Sequence, residues 1–139
     1  MKKISLILLL LTSTAAYSED TLYSVYSDFR NTPITDIKNN IYNYFNKDVY
    51  SAIDFNDPQE LELLSFSSRM KQELQHFETT NTNRGCLTIT GNDQNNEPMA
   101  FNITYSSKEQ KWVIQNINVL LADVAEDLPQ EACCPDKTD

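Results

Sequence analysis

The sequence predicts an α+β fold in which N-terminal helices pack on a curved antiparallel sheet of three to four strands. Three observations predict it. Up to about residue 77, apolar side chains recur at three- and four-residue spacing, the period of helices. Residues 86–90, 99–105 and 111–121 then form three runs rich in β-forming side chains, two of them alternating. The polar connections between these runs, 91–97 and 106–110, are short enough to make sequence neighbours antiparallel neighbours.

The chain starts with Lys2 and Lys3, an apolar run over 4–11, and Ala16-Tyr17-Ser18, a small-x-small cleavage pattern. Residues 1–18 therefore read as a signal peptide, with cleavage after Ala16 as the alternative. The run is too short for a retained bilayer span, and the cleavage region holds no Cys for a lipid anchor. The short basic start looks bacterial, so the expected location is periplasmic or secreted.

A single α+β domain is expected over 19–121. Leu22, Val25, Tyr26 and Phe29 make one helix face, with Ser18 or Asp20 as cap. Thr32-Pro33 starts a second helix whose stripe runs through Ile34, Ile37, Ile41, Tyr44 and Phe45 to Ala52 and Ile53, weakened by Asn39, Asn40, Asn43 and Asn46 and breaking near 46–48. Asp57-Pro58-Gln59-Glu60 carries the cap, the early Pro and the Glu of a helix start. Ser67 or Ser68 caps a last helix bearing Met70, Leu74 and Phe77. In the strands, Leu87 and Ile89 share a face, as do Met99, Phe101, Ile103 and Tyr105.

The third strand changes parity. Trp112 and Ile114 point one way, whereas Ile117, Val119 and Leu121 have the opposite parity. One extra residue near Gln115 and Asn116 would bring both sets to one face, as a β-bulge does; a strand buried on both faces is the alternative. Residues 122–139 form an acidic tail with six Asp or Glu against Lys137 alone.

Removing Lys2 and Lys3 takes Lys plus Arg from 11 to 9 against 20 Asp and Glu, and the formal charge from −9 to −11. That balance opposes nucleic acid binding, which needs cations for phosphates, and an anionic membrane surface. It suits both a basic protein partner and simple solubility. The three cysteines, Cys86, Cys133 and Cys134, predict one disulfide and one spare thiol in an oxidising compartment. Pairing Cys86 with Cys133 or Cys134 would tether the tail and close a loop of about fifty residues, worth roughly 4 kcal/mol. A vicinal bond is strained, and a Cys pair with one distant His is too few ligands for a metal.

The turn into a short helix over 53–74 and the closing Lys-Trp-Val-Ile-Gln-Asn-Ile-Asn-Val at 111–119 resemble the NTF2-like (cystatin-like α+β) superfamily, in particular its small exported members. The resemblance implies a helix across a bent sheet, making a cone open at one end, with a further short strand within 49–55. The superfamily includes enzymes, ligand binders and interaction modules, so it implies no single activity.

No catalytic motif is present and no cofactor is expected. His76, the one histidine, reads as an exposed helix residue, lacking an evident acid–base partner. Tyr50, Asp54, Tyr105 and Trp112, with Asp48, are the candidates to line a cone. Asn102-Ile103-Thr104 is a glycosylation sequon that matters only in a eukaryotic secretory route. The expected function is a non-enzymatic exported binding domain, acting through a protein partner or a small apolar ligand in the concave sheet. The alternatives are an immunity or inhibitor protein that neutralises a basic toxin or hydrolase, and a small isomerase- or dehydratase-type enzyme.

Overall fold

A computed structural model of the chain describes residues 20–134. The expected leader, with Ser18 as cap, and the end of the tail lie outside those residues. Four helices lead: α1 (Leu22–Asn31), α2 (Ile34–Asn39), α3 (Lys47–Tyr50) and α4 (Pro58–Leu61), with 3₁₀ turns at Ile41–Asn43 and Glu62–Arg69. A four-stranded antiparallel sheet follows in simple meander order: β1 (Met70–Thr80), β2 (Arg84–Asp93), β3 (Pro98–Lys108) and β4 (Lys111–Leu121). The expected α+β class is the observed one.

α1 forms where its stripe requires, burying Leu22, Tyr26 and Phe29. Its cap is Thr21, whose hydroxyl accepts the Ser24 N–H, in place of the expected Ser18 or Asp20. The second helix is far shorter than its stripe. It stops at Asn39, and the chain runs through a 3₁₀ turn to Phe45, which makes a parallel bridge to Ile114 of β4. Tyr44 accepts the Ile114 N–H, and Ile114 accepts the Asn46 N–H. Pairing with the sheet edge thus outcompetes helix in a segment of low helix propensity. The further strand expected within 49–55 is absent; α3 and a turn occupy that place.

The larger correction is the fourth strand. Met70, Leu74 and Phe77 lie on β1, at the sheet edge, with no helix. β1 pairs with β2 along its length, with register shifts between Met70 and Gln72 and between Glu73 and Gln75. Lys71 and Leu74 are the extra residues. Leu74 is itself a bulge residue, and Phe77, opposite Thr88, faces away from the core that Met70 enters, so their helical spacing marks no common face. Leu74 is in fact exposed.

On β4 the bulge stands where parity placed it. Thr104 pairs with Asn116 and Tyr105 with Ile114, leaving Gln115 as the extra residue. Ile114 is core, and Trp112, Ile117 and Val119 pack against the same cluster. Leu121 is the exception, at 72% exposed. The β3–β4 connection is a two-residue turn in which Glu109 and Gln110 both take positive φ (49° and 63°), the twist that tight hairpins need.

One core lies between helices and sheet. Leu22, Tyr26, Phe29, Phe45, Leu64 and Phe66 meet Leu87, Ile89, Phe101, Ile103 and Tyr105. Phe66 is its hinge, stacked on Phe29 at 5.4 Å and edge-on to Phe101 at 5.1 Å. The other sheet face is also buried, and it is polar: Thr88, Thr90, Asn102 and Thr104. A disulfide joins Cys86 of β2 to Cys134, across 48 residues, and Cys133 is free. It tethers the tail as expected.

Candidate functional site

The sheet and helices bring three of the four expected cone residues to one core. Tyr105 is fully buried on β3, opposite Ile114. Trp112 and Tyr50 are half-buried and pack against the same cluster. Asp54 is elsewhere. It is exposed in a turn, where its carboxylate accepts both the backbone and side-chain N–H of Asn56. Asp48 is exposed in the first turn of α3. The concave face is thus occupied by the protein's own aromatic rings.

Tyr26 and Tyr105 place hydroxyls in this core without hydrogen-bond partners. Burial, the dominant cause, pushes both well above the ordinary phenol range, with nearby Glu73 adding for Tyr26. Glu73 approaches Tyr26, but its oxygens are engaged by the Tyr23 hydroxyl, which donates at 2.8 Å, and by the Arg30 guanidinium. Both tyrosines therefore stay neutral at physiological pH.

His76 is on strand β1 and not on a helix, although it is exposed as expected. Its ring stacks on Tyr23 with centroids 3.8 Å apart. The Tyr23 N–H donates to Glu78 at 3.0 Å. The hydrogen bond to Glu73, more than burial, raises the Tyr23 phenol. Tyr23, Arg30, Glu73, His76 and Glu78 form a clamp that fastens α1 to the edge strand. Sequence reasoning missed it because Tyr23 and Glu73 are 50 residues apart.

An open apolar depression of about 320 Å³ lies among the short helices, lined by Val49, Ala52, Ile53, Gln59, Glu60 and Leu63. Local capping shapes it. Asn46 accepts the Asp48 N–H at the start of α3. Asp57 accepts the Gln59 N–H at the start of α4, with Pro58 just inside. Glu60 departs from the usual capping box and accepts the Asp54 N–H instead, which folds the 54–60 turn onto the rim. The segment 47–62 that builds the depression carries Asp48, Asp54, Asp57, Glu60 and Glu62 against Lys47 alone. Glu62 pairs with Arg69. In the sequence these positions showed only as helix-spaced apolar residues beside a helix start.

The sequon asparagine, Asn102, is buried and accepts the Thr88 hydroxyl at 2.7 Å. No helix among the described residues is long and apolar enough to cross a membrane. Neither a protein-family model, nor a curated protein, nor a solved structure matches this chain.

Proposed function

We propose that this chain is an exported, non-enzymatic binding domain that acts through a protein partner, and that the partner seats an apolar side chain in the depression between α3 and α4. The observation that carries the reading is the depression itself, apolar inside and open to a partner's surface. Apolar sockets of this kind receive the anchor residues that dominate protein–protein binding. A disulfide inside the chain suits an oxidising compartment. A small ligand in the concave sheet is the weaker version, because aromatic core residues fill that face.

A second reading is favoured by charge. The depression is built from a segment holding five carboxylates and one lysine. That surface suits a basic partner, as an immunity or inhibitor protein for a basic toxin or hydrolase would require. An isomerase- or dehydratase-type reading would need substrate to reach Tyr26 and Tyr105, which are fully enclosed. An NTF2-like frame, a helix laid across a bent antiparallel sheet, is compatible with either reading.

The test is capture by tagged residues 19–139 from the source organism's extract at low and high salt, beside the variant Ala52→Trp. Tryptophan fills the depression without changing charge. A stoichiometric protein lost with Ala52→Trp supports the reading, and elution by salt supports a basic partner. A partner retained by Ala52→Trp, or no stoichiometric partner, would sink it.

A further inference from the structure

The back of the sheet has an unusual cover. Along β2 and β3, Leu87, Ile89, Phe101 and Ile103 face the core, so Cys86, Thr88, Thr90, Ala100, Asn102 and Thr104 face the other way. All six are buried, although the core helices lie on the opposite face. The described tail lies against them. Its start is pinned where the Ala122 N–H donates to Pro98, at one end of β3. Its end is pinned at Cys86, which pairs with Thr104 six residues further along β3. Residues 122–134 therefore run back along β2 and β3 as a strap.

Little besides the disulfide holds this strap. Its seat is mostly hydroxyl and amide, and the Thr104 hydroxyl has no partner. Leu128 is the one buried large apolar residue that it contributes, while Val124 is 48% exposed. Between its two pinned ends, the hydrogen bond to the sheet is that from the Cys133 N–H to the Thr88 hydroxyl, at 2.9 Å. One large buried apolar side chain and two hydrogen bonds, from Ala122 and Cys133, do not offset the conformational entropy of ordering thirteen residues. Four carboxylates, Asp123, Glu126, Asp127 and Glu131, also favour release into solvent.

We infer that the Cys86–Cys134 disulfide is a redox-sensitive latch, whose reduction frees residues 122–134 and uncovers the Thr88–Thr90–Asn102–Thr104 face while the fold beneath survives. Cys134 is partly exposed and Cys86 is buried, so the attack falls on Cys134. A thiolate of a dithiol reductant bonds to the Cys134 sulfur, and the S–S electron pair leaves with Cys86. The reductant's second thiolate then closes on its first sulfur and expels Cys134. The reductant ends as a disulfide, and Cys86 and Cys134 end as thiols carrying its two protons. The fold survives because the core lies wholly on the other face.

Hydrogen exchange read by mass spectrometry tests this on the oxidised chain, on the chain reduced with dithiothreitol and alkylated, and on two variants. Cys133→Ser keeps the latch. The double variant Cys133→Ser with Cys134→Ser removes it and prevents Cys86 from pairing with Cys133 instead. Reduction and the double variant should each speed exchange over 122–134 at least tenfold, with the β2–β3 ladder still protected and Cys133→Ser like wild type. Unchanged tail protection after reduction would overturn the inference, since packing would then hold the strap. Loss of β2–β3 protection on reduction would overturn it equally, because the disulfide would then staple the whole fold.

Discussion

Deleting Gln115 together with Asn116, beside deletion of Gln115 alone, asks whether residue parity sets which side of β4 faces the core. With the bulge, Ile114 and the half-buried Ile117 and Val119 share the core face. With both residues gone, Ile117 falls opposite Thr104 and Val119 opposite Asn102, so every side chain after Ile114 turns to the opposite face, whereas loss of Gln115 alone leaves a regular ladder with Ile114, Ile117 and Val119 still on one face. Ile117 and Val119 would each lose roughly 1 kcal/mol, about half the value of full burial. Asn118 would turn toward the core at a cost of about 2 kcal/mol unless it found a partner. Leu120 would turn inward and return about 1 kcal/mol. The double deletion should therefore destabilise the fold by about 3 kcal/mol, whereas deletion of Gln115 alone, which keeps the facing, should cost about 1 kcal/mol or less. Urea unfolding followed by Trp112 fluorescence measures both, as a midpoint shift at constant slope. A double deletion as stable as the single one would refute the argument that residue parity sets the facing of β4.

Alkaline pH should weaken the fold through Tyr26 and Tyr105, whose phenols are raised in the folded chain by burial. Their stability contribution is complete below about pH 10, the unfolded phenol value. As pH rises further, the unfolded chain loses those protons and the folded one keeps them, so stability falls by about 1.4 kcal/mol per pH unit for each tyrosine. Tyr26→Phe and Tyr105→Phe should each remove one share of that slope in unfolding curves between pH 9 and 11, and cost little at pH 7, since neither hydroxyl has a partner. The two glycines should separate in the same assay. A Cβ on Gly91 would sit 2.0 Å from the Gln72 carbonyl oxygen, a backbone atom of β1, whereas a Cβ on Gly85 would meet the end of the Leu22 side chain at 2.7 Å. Gly91→Ala should cost roughly 3 kcal/mol or more and loosen β1, and Gly85→Ala about 1 to 2 kcal/mol; equal costs would contradict the contact geometry.

Features governed by local chemistry were legible in the sequence. The α1 stripe, the Asp57-Pro58 helix start, the three strands over 86–121, the bulge at Gln115 and a tail tethered to Cys86 all follow from side-chain spacing, capping chemistry and cysteine redox preference. Other features depended on residues far away in the chain. Met70, Leu74 and Phe77 have helical spacing, yet two bulges and the free edge of β2 make them a strand. Phe45 left its helical stripe because Ile114 offered an unpaired strand edge. Tyr105, a candidate for a ligand-facing wall, became core because Phe66, Phe101 and Tyr26 close over that face. The choice of Cys134 over Cys133, the clamp on Glu73, and the meeting of Val49 and Ile53 with Leu63 at the depression were likewise decided by packing. The physical reason is common to them all. A local pattern constrains a residue's own turn or pleat, whereas a partner fifty residues away contributes only once the chain has closed.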